Sequence, residues 1–369
     1  MGFEGERMTV SYDGAVAGHC EAWMYCKDSV NRDFTLLRED VLWYPVAAPP
    51  SRDGWHSVSG LSEGYTYDLE VRVPFDLMRE PFAVTAGGLV SAETSGSSAV
   101  FRYRCETPSY RIDLAVANYR RFQDKAGWIA AYCLPGDEAG AQKAIWVAEK
   151  TMELCEKWLG PGRGGRLAIA EIPDYWGSQS CPLFIMQERR AFVSQEESGG
   201  QPAGGTGLPR PEWRPLYLIG HEVAHLWSVN SREPVSSRWL DEGMTHFVEA
   251  LLLREVYGEE AFRWRMDSYA QGFDSAPEEA RSQPICGNTM PEFTDHLSRG
   301  KGPWALQALS DLVGLDITLD IMKRFTQRFL GSGATPQDFI GVAGEVAGEG
   351  ARGLLVEWLY GTNVKTVGS

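Results

Sequence analysis

Five residues, His221-Glu222-Val223-Ala224-His225, with Glu242 following in Trp239-Leu240-Asp241-Glu242-Gly243, constrain this chain more than any other part of it. An α-helix turns about 100° per residue, so side chains four apart stack on one face about one turn apart. Two imidazoles placed that way can direct nitrogens at one divalent ion at roughly 2.0–2.1 Å, the range for zinc. Glu222 follows the first of them on the same helix, within reach of a metal-bound water as general base. Glu242 lies in a second apolar run, Leu240 to Arg254, that also reads as helix. With Glu242 as third protein ligand and one position left open for water, the pattern is that of a catalytic site holding one zinc ion per chain. In a chain with six histidines the five-residue pattern could arise by chance. The downstream Glu, in its own helical run, is what makes it specific.

The 369 residues suffice for two domains, each with its own core. Hydrophobic content of 43% and charged content of 23% are those of an ordinary soluble globular protein. A formal net charge of −15 argues against nucleic acid and anionic membrane as partners. No eighteen-residue apolar run is present, so no membrane span is expected. Met1 to Arg7 lack the basic start and apolar stretch of a signal peptide, and Glu6 stands where a myristoylation signal wants Ser or Thr. The seven cysteines are an odd number without a Cys-x-x-Cys pair. A reduced, cytoplasmic protein without a disulfide framework is the expectation, with Cys155 a buried thiol on the amphipathic stretch Ala139–Leu159. A piece cut from an exported or membrane-bound protein would share this composition. Oligomeric state leaves no mark here.

Residues from about 8 to 118 read as strands. Thr66, Asp68, Glu70 and Arg72 alternate with Tyr67, Leu69, Val71 and Val73. Val100–Cys105 and Tyr110–Ala117 alternate similarly, separated by turn clusters. The pattern predicts an antiparallel β domain over residues 1–120, with sandwich architecture. A mainly helical domain follows over residues 121–369, so the fold class is α+β. There, Asp137–Leu159 has apolar residues at helical spacing, and Leu167–Ile172 and Leu183–Gln187 read as strands. The segment 197–215 is rich in Gly and Pro and, ending at the metal helix, is expected to border the cleft or to be a surface insertion. Helices are predicted over Leu240–Tyr257, Glu259–Tyr269, Pro303–Val313, Ile317–Leu330, Pro336–Ala347 and Ala351–Tyr360. Thr335-Pro336-Gln337-Asp338 is a helix-start signature.

His221–Asn230, with Trp227 and Asn230 after the His pair, resembles the zinc helix of the aminopeptidase N-like gluzincins. Trp239-Leu240-Asp241-Glu242-Gly243 resembles that family's Trp-Leu-Asn-Glu-Gly, and Glu249 matches a further family Glu seven residues on. Lys301-Gly302, followed by an apolar run to Gly314, resembles a third segment. The resemblance implies a β domain preceding a thermolysin-like zinc catalytic domain, and hydrolysis of peptide or protein substrates. Departures are equally informative. Sixteen residues, Leu226 to Asp241, separate the second His from the Glu, where the family has eighteen. The family's Gly-x-Met-Glu-Asn, whose Glu holds a substrate's free amine, has its counterpart in Gly177-Ser178-Gln179-Ser180-Cys181. Ser180 stands where that Glu belongs, and Glu188 on the nearby strand is a possible substitute. The oxyanion-stabilising Tyr is expected two residues before Lys301, where this chain has Arg299; Arg299 and His296 are candidates for that role. The chain ends about where the family's C-terminal helical domain begins, which implies a more open cleft.

His246, four residues after Glu242, is a rival ligand or a pocket residue, and Glu249 either accepts from a ligand imidazole and so fixes its orientation or is a solvated helix carboxylate. The leading reading is a zinc metallopeptidase with Glu222 as general base. The alternative is a zinc-holding, peptide-binding scaffold that turns over little, since the amine-holding Glu and the oxyanion Tyr are both missing. Exo- versus endo-cleavage stays open.

Overall fold

The computed structural model describes residues 10–11, 13–16, 27–41, 43–44, 64–193, 210–232, 238–287 and 293–362. Most of the Gly- and Pro-rich segment expected beside the cleft therefore lies outside the described residues. The first seven strands are β1 (Ser29–Val30), β2 (Thr35–Leu37), β3 (Tyr65–Pro74), β4 (Phe82–Val84), β5 (Gly88–Ser95), β6 (Ser98–Ser109) and β7 (Leu114–Ala117). They form two antiparallel sheets, ordered β1-β2-β7-β4 and β3-β6-β5. The alternation seen in β3 is realised: Thr66, Asp68, Glu70 and Arg72 are exposed while the residues between them turn inward. On the wet face Glu70 pairs with Arg72 and Arg102 at 2.8 Å, and Asp68 with Arg104 at 2.8 Å. On the dry face Val73, Phe101 and Tyr103 pack against Ala83, Leu114 and Val116 of the other sheet, a shared apolar layer that holds the two together.

Residues 110–117 differ from the expected alternating strand. β6 ends at Ser109, and β7 begins only at Leu114 with all four residues buried. β7 is covered on both faces: Leu114 and Val116 join the core between the two sheets, and Ala115 and Ala117 join a second core on the opposite side. A strand covered on both faces has no reason to alternate.

That second core bridges to the rest of the chain. Strands β8 (Arg120–Gln123), β9 (Ile129–Cys133), β10 (Leu167–Ile172), β11 (Gln179–Cys181) and β12 (Phe184–Glu188) form a mixed sheet ordered β11-β12-β10-β9-β8. β10 runs parallel to β9 and β12, and β8 and β11 lie antiparallel at the edges. Ala168, Ala170, Phe184 and Met186 from one face of this sheet meet Phe34, Leu36, Val84 and Ala115. The other face carries Ile169 and Ile185 into the helical core. Residue 120 thus separates sheets, while one apolar cluster spans the division.

The helices are α1 (Glu138–Leu159), α2 (Arg214–Ala224), α3 (Met244–Tyr257), α4 (Glu259–Asp274), α5 (Glu278–Arg281), α6 (Gly302–Val313), α7 (Leu315–Phe329) and α8 (Pro336–Tyr360). Gly220 lets α2 come close to both neighbours: a Cβ there would lie 3.2 Å from Thr151 Oγ1 of α1 and 3.3 Å from Leu252 Cδ1 of α3. The predicted helices over 336–347 and 351–360 are two helical segments that turn back on each other at Gly348, φ 81°, so that Gln337 Nε2 near the start donates to Tyr360 Oη at the end at 2.5 Å. The first segment opens on the reciprocal cap, Thr335 Oγ1 accepting from the Asp338 amide and Asp338 Oδ2 accepting from the Thr335 amide at 2.8 Å. One expectation needs correcting. The helix predicted from Leu240 opens instead as a π turn, Trp239–Gly243, and a second π turn, His296–Lys301, leads into α6. The two turns abut: Trp239 Nε1 donates to the Gly302 carbonyl at 3.2 Å, and a Cβ on Gly302 would meet the Gly243 Cα at 3.1 Å. Such turns are rare and concentrate at functional sites.

Lys301, closing the second π turn, is fully buried and donates from Nζ to the Gly361 carbonyl at 3.0 Å. Burial pushes its ammonium down to about 8. Its usual value is about 10.4, so between the two the unfolded chain binds more protons than the folded one, and this group's contribution to stability rises with pH. The melting temperature of the parent relative to Lys301→Met is therefore expected to improve from pH 8 to pH 10. A gap constant across that range would contradict the assignment.

Candidate metal centre and active-site cleft

The last turn of α2 carries His221 and Glu222, and the 3-10 turn His225–Trp227 continues it with helical dihedrals at Ala224 and His225, so the four-residue spacing keeps both imidazoles on one face. Their Nε2 atoms lie 3.2 Å apart, with ring planes at 88°. The π turn before α3 brings Glu242 Oε2 to 3.3 Å from His221 Nε2. Donors around a tetrahedral zinc at 2.0–2.1 Å stand about 3.3 Å from one another. Glu242 Oε2 is buried yet makes no hydrogen bond, which leaves it available to an ion. The His221, His225 and Glu242 donor set therefore fits zinc in both spacing and chemistry.

Each of these donors is held from behind. Glu249 Oε2 accepts from His221 Nδ1 at 3.0 Å, and Arg265 Nε donates to the other oxygen of Glu249. Asp241 Oδ1 accepts from His225 Nδ1 at 2.8 Å, with Ser228 Oγ 2.9 Å from the same nitrogen. Arg238 Nη2 donates to Glu242 Oε1 at 2.5 Å and to Asp241 Oδ2 at 2.9 Å, and Arg299 Nη2 reaches Glu242 Oε1 at 3.3 Å. Arg238 adopts a left-handed backbone, φ 52° and ψ 12°, costly for a side chain with a Cβ and stored typically at functional sites. Its buried guanidinium thus binds the third candidate ligand and the acid that orients the second.

The electrostatics follow from burial. Burial opposes charge on Glu242, but Arg238, Arg299 and His221 together hold its carboxyl well below the usual range. Burial also works against a charged His221, yet Glu242 and Glu249 raise it to about 10. An incoming metal ion must displace that proton. Burial lifts the Glu222 carboxyl above its usual value, although His221 and His225 pull the other way. A carboxylate of raised basicity suits a proton acceptor.

The other sequence candidates are distributed unevenly. His246 stacks on His221 with ring centroids 4.4 Å apart and directs Nδ1 to Glu249 Oε2 at 3.1 Å. His221, His246 and Glu249 also cluster closely enough for a metal. There, however, both Glu249 oxygens are already engaged, which favours the Glu242 set. Arg299 lines the cleft. His296, at the start of the same π turn, is exposed and is not among the residues lining the cleft. Ser180 and Glu188 line the cleft from β11 and β12, but both oxygens of Glu188 are occupied, by the Gly177 amide at 2.7 Å and by Arg190 Nε at 2.8 Å. The cleft itself has a volume of about 720 Å³ and contains Glu222 and all three candidate ligands. Sequence reasoning missed Arg238, Asp241 and Arg265. For Asp241 the signal was present, one residue before Glu242; for the arginines there was none.

Metal analysis of the purified protein is expected to find one zinc ion per chain, lost in His225→Ala. Removing the guanidinium in Arg238→Met should weaken zinc binding about 10- to 100-fold in competition with a chelator, the usual cost of losing a residue behind a ligand. Unchanged affinity would remove Arg238 from the site.

No protein-family model matches the chain. It is 22% identical over 296 residues to Probable aminopeptidase 1 of Sulfurisphaera tokodaii, covering 73% of this chain and 35% of that protein. It is 24% identical over 216 residues to leukotriene A-4 hydrolase of Xenopus laevis, covering 53% of this chain and 30% of the other. It superposes on the M1 zinc metallopeptidase of Deinococcus radiodurans with TM-score 0.65 and 17% identity, covering 82% of this chain and 66% of that one. The chain thus spans about a third of the length of the curated relatives it matches. No helix among the described residues is long and apolar enough to cross a membrane. The resemblance read from the zinc motifs stands: the chain has the fold of the M1 zinc metallopeptidases, and its curated relatives are gluzincins of that family.

Proposed function

We propose that this chain is a zinc-dependent peptidase whose ion is held by His221, His225 and Glu242, with Glu222 as general base. The observation that carries the reading is the trio of donors spaced at 3.2 and 3.3 Å in the same cleft as the Glu222 carboxyl. Zinc bound there would supply Lewis acidity to a carbonyl and to a water molecule. Glu222 takes one proton from the attacking water as its oxygen bonds to the carbonyl carbon. As the C–N bond breaks, Glu222 returns that proton to the departing amine, so the carboxylate is restored each cycle. Glu249 and Asp241 fix the imidazole orientations by accepting from Nδ1, leaving each Nε2 to face the ion. Arg299, at the position of the family's tyrosine, is the candidate donor to the developing oxyanion; this role favours it over the exposed His296.

Glu222→Gln keeps shape and hydrogen-bonding reach but cannot take a proton. It is expected to retain its zinc and to lose about 10²- to 10⁴-fold in turnover on any peptide the parent cleaves. Equal rates for the two proteins would refute the mechanism. A parent that binds zinc and peptides without cutting them would favour the scaffold reading instead.

Strict aminopeptidase specificity is not expected. A hydroxyl at Ser180 cannot give the charge-assisted hydrogen bond that a carboxylate offers an α-ammonium, worth typically ~1.5–3 kcal/mol. Glu188, the substitute nearest in sequence, has both oxygens engaged. The loss corresponds to about one to two decades of preference. N-acetylated peptides should be cleaved about as well as free ones. Rapid hydrolysis of free-amine reporters with acetylated peptides untouched would show this wrong, and Glu188→Ala would then locate the amine site.

A further inference from the structure

The loop after α1, Gly160-Pro161-Gly162-Arg163-Gly164-Gly165, is pinned along its length. Trp227 Nε1 donates to the Gly160 carbonyl at 2.7 Å, and Gln327 Nε2 donates to the carbonyls of Leu159 at 2.8 Å and Pro161 at 3.0 Å. Arg163 N donates to the Leu226 carbonyl at 3.2 Å, and Thr107 Oγ1 donates to that of Gly164 at 3.2 Å. Gly162 lies flat on the Trp227 indole, where a Cβ would stand 2.5 Å from the ring. The loop is therefore fixed to the residues that immediately follow His225.

From this rigid support the half-buried Arg163 side chain enters the cleft. Among the described residues, its Nη2 has one marginal contact, the Ser228 carbonyl at 3.5 Å, and the Ser228 hydroxyl in turn lies 2.9 Å from His225 Nδ1. The five other arginines lining the cleft each have a carboxylate of this chain: Arg111 with Asp113, Arg190 with Glu188, Arg238 and Arg299 with Glu242, and Arg265 with Glu249. Among the described residues, Arg163 has none within 4.0 Å. That is notable in a chain whose net charge is −15. A guanidinium presents a planar fork of donors that matches a carboxylate, and pairs of this kind are the strong polar contacts of binding sites.

We propose that Arg163 is a specificity-determining residue, a carboxylate subsite on the His225 side of the cleft that selects peptides bearing a carboxylate near the bond to be cut. The inference rests on the peptidase reading for its catalytic consequence. Two sources offer that group, an acidic side chain and the peptide's own C-terminus.

Four otherwise identical N-acetylated peptides separate them: Glu or Gln at one position near the cleaved bond, each with a free or amidated C-terminus. For the zinc-loaded parent, kcat/KM is expected to be about 10- to 100-fold higher for the carboxylate-bearing peptides. A Glu-over-Gln ratio identifies the side chain, and an acid-over-amide ratio identifies the C-terminus. In Arg163→Met the ratio should fall to near one, Arg163→Lys should restore part of it, and Arg163→Glu should favour a Lys peptide over its Glu counterpart. A parent indifferent to all four peptides would overturn the proposal, as would an Arg163→Met that keeps the parent's ratio. Binding of the same peptides to zinc-loaded Glu222→Gln, followed by calorimetry, separates this from the reading beneath it. Tighter binding of the carboxylate peptides, even if the parent cuts none of them, supports the subsite while the peptidase reading fails. Equal affinity for all four overturns the subsite whether or not the parent cleaves.

Discussion

The two oxygens of Glu242 do different things, and the site depends on that division. Oε1 is taken by Arg238 at 2.5 Å with Arg299 beyond it, while Oε2 is buried, without a hydrogen bond, and 3.3 Å from His221 Nε2. A buried carboxylate without a counter-charge would be expensive, several kcal/mol or more, or would simply take up a proton. The guanidinium removes that option by holding Glu242 ionised from the far side, so that the near oxygen is left available to an ion. The same logic recurs behind each imidazole. Asp241 behind His225 is answered by Arg238, and Glu249 behind His221 is answered by Arg265. The centre is a set of opposite charges, mostly buried, in which removing Arg238 or Arg265 would leave a buried carboxylate without its principal partner.

Such a network demands a backbone that places it closely, and the two π turns provide it. An uninterrupted helix from Trp239 would carry Glu242 on regular spacing; the wide turn instead sets it against α2 and aims the Arg238 side chain back across its own segment. The contact between that turn and its neighbour at His296–Lys301 admits Gly243 and Gly302 and no larger residue without displacement, because a Cβ on Gly302 would stand 3.1 Å from the Gly243 Cα, and one on Gly243 would stand 3.2 Å from the Ser298 carbonyl oxygen and 2.6 Å from Trp239 Cδ1. The second turn delivers Arg299 to the cleft while the buried Lys301 anchors its end at Gly361. Local strain and close glycine packing are thus spent on positioning the candidate ligand.

What was legible in the sequence was whatever is encoded locally. Two candidate ligands four residues apart form a pattern visible along the chain, and so do alternation in β3 and the cap at Thr335. Glu242 was recoverable because its surroundings carry a motif, despite the shortened link to His225. Charge partners that come from elsewhere in the fold were invisible. Arg265 reaches Glu249 from the next helix, and Arg163 reaches the neighbourhood of His225 from a loop that follows α1. Periodicity also misleads where geometry departs from the regular helix. His296 and Arg299 looked equivalent as candidates, but in a π turn one faces solvent and the other the cleft. The alternation read over 110–117 failed for a related reason: burial on both sides of β7 depends on what two other layers do.

The departures from the family pattern share a direction. Against the motifs that this sequence resembles, Ser180 stands where an acidic residue is expected and Arg299, paired with Glu242, where a tyrosine is expected. Both changes fall in the cleft, while His221, Glu222, His225 and Glu242 keep the residue types that peptide hydrolysis needs. Arg163 adds a third feature of the same sign, offered from a loop whose backbone is fixed at several points. Changes that merely eroded a site would not be expected to agree in sign or to spare its buried charges. On the proposed reading, the chemistry around Glu222 is that of the resemblance, while Ser180 and Arg163 favour a substrate carboxylate over an α-ammonium. The proposed mechanism gives Arg299 a use as well, since the group that gains negative charge as the bond is attacked is the carbonyl oxygen, and a preorganised cation beside it stabilises that charge.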